Sequence, residues 1–196
     1  MNMSATMWFD PSCPFTWRTS RWLRAEAAVR DEKVTWRLMS LAVLNEGRDD
    51  VPSGYREGQL RAARLLRVLA ASAEHGGNEA VDSLYTAHGT RVHERAEGWD
   101  DRTLRQALTE AGLSDGLAAA ADDESWDEVV RASHAEGQAR VGQESGTPVV
   151  AFGDAPGFFG PILTAVPAGE EAARLYDSVA ALATVTAFSE LKRARN

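Results

Sequence analysis

Within its first 41 residues the chain runs strand, helix, strand, and this order narrows the fold more than any other feature. Residues 5–10, ATMWFD, form a short apolar run closed by Asp10-Pro11, as in a buried strand that ends in a turn. From Pro14 the segment PFTWRTSRWLRAEAAVRD places Phe15, Trp22, Leu23, Ala27 and Val29 among polar residues at helical spacing. Proline stands at the first helical position, where its missing N–H breaks no intrahelical bond. Residues 33–41, KVTWRLMSL, alternate Val34, Trp36 and Leu38 with Thr35, Arg37 and Met39 and predict a second strand. Two strands joined by one helix are parallel neighbours with a right-handed crossover, so the chain must contain an α/β sheet.

The pattern then changes. Residues 45–58, NEGRDDVPSGYREG, predict a polar loop, and residues 59–143 are helical in pattern almost throughout. One helix should stop at Gly76-Gly77. A second should carry Val81, Leu84, Tyr85, His88 and Val92 on one stripe, and a third should run from Asp caps near residue 100 to Gly112. A fourth is expected to open with Ser125 and Glu128 as a capping box. Strand chemistry returns in GTPVVAFGD and GFFGPIL, and the C-terminal stretch predicts one or two helices with basic residues in the last turn. The expected organisation is an α/β domain made of residues 1–58 and 146–196, split by a helical insertion over 59–145.

A net charge of −8 argues against electrostatic binding of nucleic acid or of an anionic membrane surface. No apolar run reaches the ~20 residues of a membrane-spanning helix. The N-terminal MNMSATMWFDP has neither the basic nor the long apolar part of a secretion signal. One cysteine allows no intramolecular disulfide, and the cytoplasm is the expected compartment. Lysine occurs only at positions 33 and 192 while arginine is plentiful, a bias in keeping with a GC-rich genome.

That cysteine, Cys13, lies where the first strand gives way to the first helix. The unpaired amides and dipole of a helix N-terminus favour a thiolate there, which would make the sulfur nucleophilic. The other reading is a small, inert, buried residue, a common fate of free cysteine. The four histidines, His75, His88, His93 and His134, show no metal-ligand spacing, and no metal site is expected; one of them has the potential to line a cleft. Asn45 and Glu46 follow the second strand, on the edge where open α/β sheets bind ligands, and are candidate contacts for polar groups of a ligand.

The segments FDPSCPFTWRTSRWL and GTPVVAF together resemble the DsbA-like branch of the thioredoxin superfamily, whose motif is Cys-Pro-x-Cys and whose later loop carries a cis-proline. The sequence is most similar to actinobacterial mycothiol-dependent nitroreductase-like or DsbA-family oxidoreductases, which MSLAVLNEG, LYTA and LTEAGL also resemble. The resemblance implies a thioredoxin-like α/β fold with an inserted all-helical domain that covers the groove above the sulfur. It implies that Cys13 is the attacking sulfur, that Pro148 is the cis-proline, and that Thr147 pairs with substrate. Pro14, Phe15 and Trp17 would face the substrate groove, and a homodimer is implied on the same grounds.

Thr16 stands where the resolving cysteine would be. Without a second sulfur, the implied chemistry is monothiol: Cys13 forms a mixed disulfide with a disulfide or small electrophilic substrate, and a low-molecular-weight thiol releases it. Mycothiol is the expected co-substrate, or glutathione, with no tightly bound cofactor. Thr16 itself can donate its hydroxyl to the thiolate. Kappa-class glutathione transferases and chromene-carboxylate isomerases share the architecture and need one catalytic hydroxyl or thiol, but typically carry serine near the position of Cys13. A non-catalytic relative that binds a thiol or peptide is the third reading.

Overall fold

The computed structural model describes residues 4–192 and residue 194. Its sheet has four strands in the order β2-β1-β3-β4: β1 (Ala5–Phe9), β2 (Thr35–Leu38), β3 (Val149–Phe152) and β4 (Phe158–Phe159). Strand β1 pairs parallel with β2 and antiparallel with β3, and β4 is antiparallel to β3. Helix α1 (Pro14–Val29) makes the crossover between the parallel pair, as the opening sequence requires. Between β2 and β3 the chain is almost wholly helical, so the fold is thioredoxin-like with a helical insertion.

Both faces of the sheet are buried. Met7, aligned with Trp36 on one side and Val150 on the other, shares its face with Phe9 and Phe152 in the main core. Trp8, between them in β1, points the opposite way and packs with Met39, Val149 and Ala151. A short helix α2 (Leu41–Leu44) follows β2, its first turn capped by the Ser40 hydroxyl. The long helix α3 (Ser53–Gly89) comes next and is broken at Gly77, whose φ of 62° and ψ of −154° lie outside helical space. The expected glycine stop is therefore a joint between two helical arms. The second arm delivers Tyr85 to the main core, stacked on Phe9 with ring centroids 4.0 Å apart. It ends at Gly89, where a Cβ would run into the Trp17 indole, and passes into a π-helical turn over Thr90–Glu94.

Helix α4 (Asp101–Glu110) opens on the predicted cap, with the Asp100 side chain accepting from the Thr103 N–H. A 3₁₀ segment, Asp115–Asp122, leads to α5 (Asp127–Val141), and α6 (Gly169–Ala183) closes the fold.

Several local expectations are corrected. Part of the 45–58 loop is helix, because α3 already begins at Ser53 behind Pro52. The Ser125–Glu128 box does not form: a 3₁₀ turn precedes α5, and the Asp123 carboxylate accepts from the Ser125 N–H instead. The last turn of α6 holds no basic residue, since the helix stops at Ala183 and Lys192 lies beyond it. Arg193 and Arg195 lie outside the described residues.

Edge strand β2 is closed by the insertion's side chains. Asn78 accepts from the Trp36 N–H (2.7 Å) and donates to the Val34 carbonyl (2.8 Å). From α5, Ser133 Oγ accepts from Leu38 N and His134 Nδ1 from Ser40 N. Backbone groups that would otherwise sit buried and unpaired, or invite another strand, thus fasten the helical block to the sheet.

Candidate active site

Strand β1 ends at Phe9, and the next four residues turn the chain into α1. Cys13 is the N-cap: its φ and ψ of −80° and 115° are extended, and its carbonyl accepts from Trp17 N at 3.0 Å. Its side chain makes no cap bond, so the half-buried sulfur stands at the open N-terminal end of the helix. Pro14 follows at the first helical position, exposed. The Sγ lies 3.9 Å from the Thr147 carbonyl oxygen, and the Thr147–Pro148 bond is cis. Cys13 and Pro148, 135 positions apart in sequence, therefore meet as the resemblance implied.

Thr147 ties the site together. Its hydroxyl donates to the Trp8 carbonyl at 3.0 Å and accepts from Asp10 N at 3.3 Å. Thr16 Oγ1 lies 3.3 Å from the same oxygen. A hydroxyl has one proton, and that of Thr147 is committed to Trp8, so Thr16 is the donor in this pair. Thr16 is fully buried and its hydroxyl addresses Thr147, which corrects the expectation that it donates to the sulfur.

Asp10, read from sequence only as a turn residue, proves to be a second organiser. Oδ1 accepts from the Ser12 N–H (2.8 Å) and hydroxyl (2.6 Å), and Oδ2 from Leu41 N (2.7 Å), at the start of α2. The carboxyl is fully buried and no ion pair among the described residues engages it. Burial pushes its pKa up, while the bonds from Ser12 and Leu41 pull it down. The available signal was the Asp-Pro-Ser order, in which an aspartate accepts from the amide two residues on.

The histidine facing this turn is His93. Its Nε2 lies 2.8 Å from the Pro11 carbonyl, which can only accept, so Nε2 carries the proton. Its ring stacks on Trp17 at 5.5 Å, and burial pushes its pKa below the ordinary histidine value. His88 lies deeper, edge-on to Trp99, and burial drives it down to about 3.

Of the residues expected along the substrate groove, Phe15 is half-buried next to Pro14, with the Arg18 guanidinium 5.6 Å from its ring centroid. Trp17 is buried instead. Its indole N–H donates to Glu94 Oε1, its edge meets Tyr85, and Arg21 lies over its ring. Asn45 ends α2, a helix that packs against Gly146 through Leu41 and Leu44. Glu46 is held by Arg131 of α5, whose hydrogen bond keeps the carboxyl below its usual pKa.

The profile of a family described as Rv2466c-like, mycothiol-dependent nitroreductase Rv2466c, matches residues 12–193, from the turn before Cys13 to beyond the last helix. The chain belongs to the Rv2466c-like family. An uncharacterised Mycobacterium tuberculosis protein, Rv2286c, is 31% identical over 195 residues, covering 96% of this chain and 80% of that protein. Among solved structures, a probable DsbA oxidoreductase from Streptomyces coelicolor aligns over 98% of this chain and 94% of its own, with TM-score 0.61 and 21% identity. A 2-hydroxychromene-2-carboxylate isomerase covers 93% and 96%, with TM-score 0.63 and 16% identity. The Rv2466c-like family is thus one of enzymes, on a fold shared with DsbA-like oxidoreductases and with that isomerase.

Proposed function

We propose that this Rv2466c-like protein is a monothiol thiol–disulfide oxidoreductase. The observation that carries the reading is the half-buried Cys13 sulfur at the N-terminus of α1, facing the Thr147 carbonyl beside cis-Pro148. The Cys13 thiolate attacks one sulfur of a disulfide; the S–S bond breaks, the leaving thiolate takes a proton, and Cys13 holds a mixed disulfide. A second, low-molecular-weight thiol then attacks that bond, leaves as part of a new disulfide and returns Cys13 to the reduced state. The family description favours mycothiol over glutathione as this thiol, and a chain with one cysteine and no disulfide of its own suits a reducing, cytoplasmic setting. Phe15, Pro14 and the Thr147 backbone would border the bound substrate, and Asn45 would meet the thiol's polar groups. Thr16 acts through Thr147 in holding the cis-proline loop. No helix among the described residues is long and apolar enough to cross a membrane.

The test is incubation of reduced protein with the disulfide of mycothiol, and separately of glutathione, read by intact mass. One adduct on Cys13, discharged by the free thiol, is expected. Absence of an adduct at saturating disulfide would overturn the assignment. A second reading, a transferase or isomerase that orients a thiol cofactor, draws on Thr16 in place of a second sulfur and on the isomerase likeness of the fold. Tight noncovalent thiol binding without an adduct would favour it.

A further inference from the structure

We propose that Arg18 sets substrate specificity at the Cys13 site, selecting disulfides that carry a carboxylate beside the reacting sulfur; this rests on Cys13 being the reacting atom. Helical side chains lean toward the N-terminus, so the Arg18 guanidinium overhangs Phe15, one turn earlier and two residues from Cys13. It is half-buried, and no ion pair among the described residues engages it. The other arginines of α1 are engaged. Arg24 pairs with Asp82, and Arg21 donates to Thr86 while lying over Trp17. On the facing π-helical turn, Glu94 accepts from the Trp17 indole, and His93 bonds the Pro11 carbonyl. Arg18 is therefore a cation outside any ion pair among the described residues, set over the ring of Phe15, which borders the substrate in the proposed reading.

The field of a chain with net charge −8 disfavours anions, and a local cation beside the site offsets it. A planar guanidinium above an aromatic ring suits a carboxylate on a flat or apolar body. In the reaction the Cys13 thiolate bonds one sulfur of the disulfide, the S–S bond breaks, and the other sulfur leaves as a thiolate carrying the electron pair. Arg18 holds the carboxylate throughout and exchanges no proton.

Second-order rate constants of the reduced protein with two reagents test this. Dithiobis-nitrobenzoate is an anionic aromatic disulfide and dithiodipyridine a neutral one. At low ionic strength, Arg18→Gln should slow the anionic reagent about fivefold and Arg18→Glu about twentyfold, as expected for a surface charge within roughly one Debye length of the bound reagent. Neutral-reagent rates should stay within about twofold, and added salt should shrink the anionic effect. If the variants slow both reagents equally, or neither, Arg18 is not the selector. A wild-type sulfur inert to both reagents would sink the exchange reading and this one together.

Discussion

His88 gives the chain a built-in acid sensitivity whose size follows from its burial. The ring is 3% exposed, set against Trp99, and burial holds its pKa at about 3 against 6.5 in the unfolded chain. The unfolded state therefore takes up a proton in a range where the folded state refuses it. Stability from this residue is present above 6.5 and is lost as the pH falls from there toward 3. Between about pH 7 and about pH 5 the unfolded histidine becomes charged and the folded one does not, a loss of about 2 kcal/mol. Urea unfolding followed by far-UV circular dichroism at both pH values measures the loss, and His88→Met isolates it. His93 and His134, also lowered by burial, and Asp10, raised by it, titrate in both proteins and cancel in the difference. Since His88 stays neutral at the lower pH, its repulsion with His93 does not enter. The wild-type protein should lose about 2 kcal/mol more than His88→Met. Equal losses would refute the reasoning, because they would mean that folded His88 accepts the proton or reaches water.

Asp10→Asn should destabilise the fold by about 1–3 kcal/mol in the same urea assay, because an amide placed here must turn its NH₂ toward the N–H of Ser12 or of Leu41. Ser12→Ala, which leaves both backbone donors bonded, should cost less. Thr16→Cys should restore a second sulfur in the first turn of α1, so that a Cys13 mixed disulfide discharges with no added thiol; an adduct that persists on mass analysis would count against it. Asn78→Ala leaves the Trp36 N–H and the Val34 carbonyl unpaired and should cost about 1–3 kcal/mol, with faster amide exchange at Trp36.

What the sequence revealed was mostly local. Pro14 at a helix start, the break at Gly77 and the alternation around Trp36 each act through their own neighbours, although the break at Gly77 joins two helical arms and ends only the first. The meeting of Cys13 with cis-Pro148 was legible through the resemblance of two distant segments. What escaped depends on partners remote in sequence. Thr16 turns inward because Thr147 waits there, Glu46 is engaged by Arg131, and β2 is closed by Asn78, Ser133 and His134. The misplaced cap at Ser125 has a nearer cause: Asp123, two residues earlier, offers a stronger acceptor to the same turn.

The Thr147 hydroxyl joins Trp8, Asp10 and Thr16 across 131 to 139 residues. During synthesis the turn around Cys13 leaves the ribosome with none of these bonds available to it. Its sulfur emerges early but acquires its surroundings only after the whole helical block and the start of β3 have followed. The candidate site is thus among the last parts of the molecule to be assembled, although its cysteine is among the first residues made. A nascent or truncated chain should therefore carry an exposed thiol without the site that directs it.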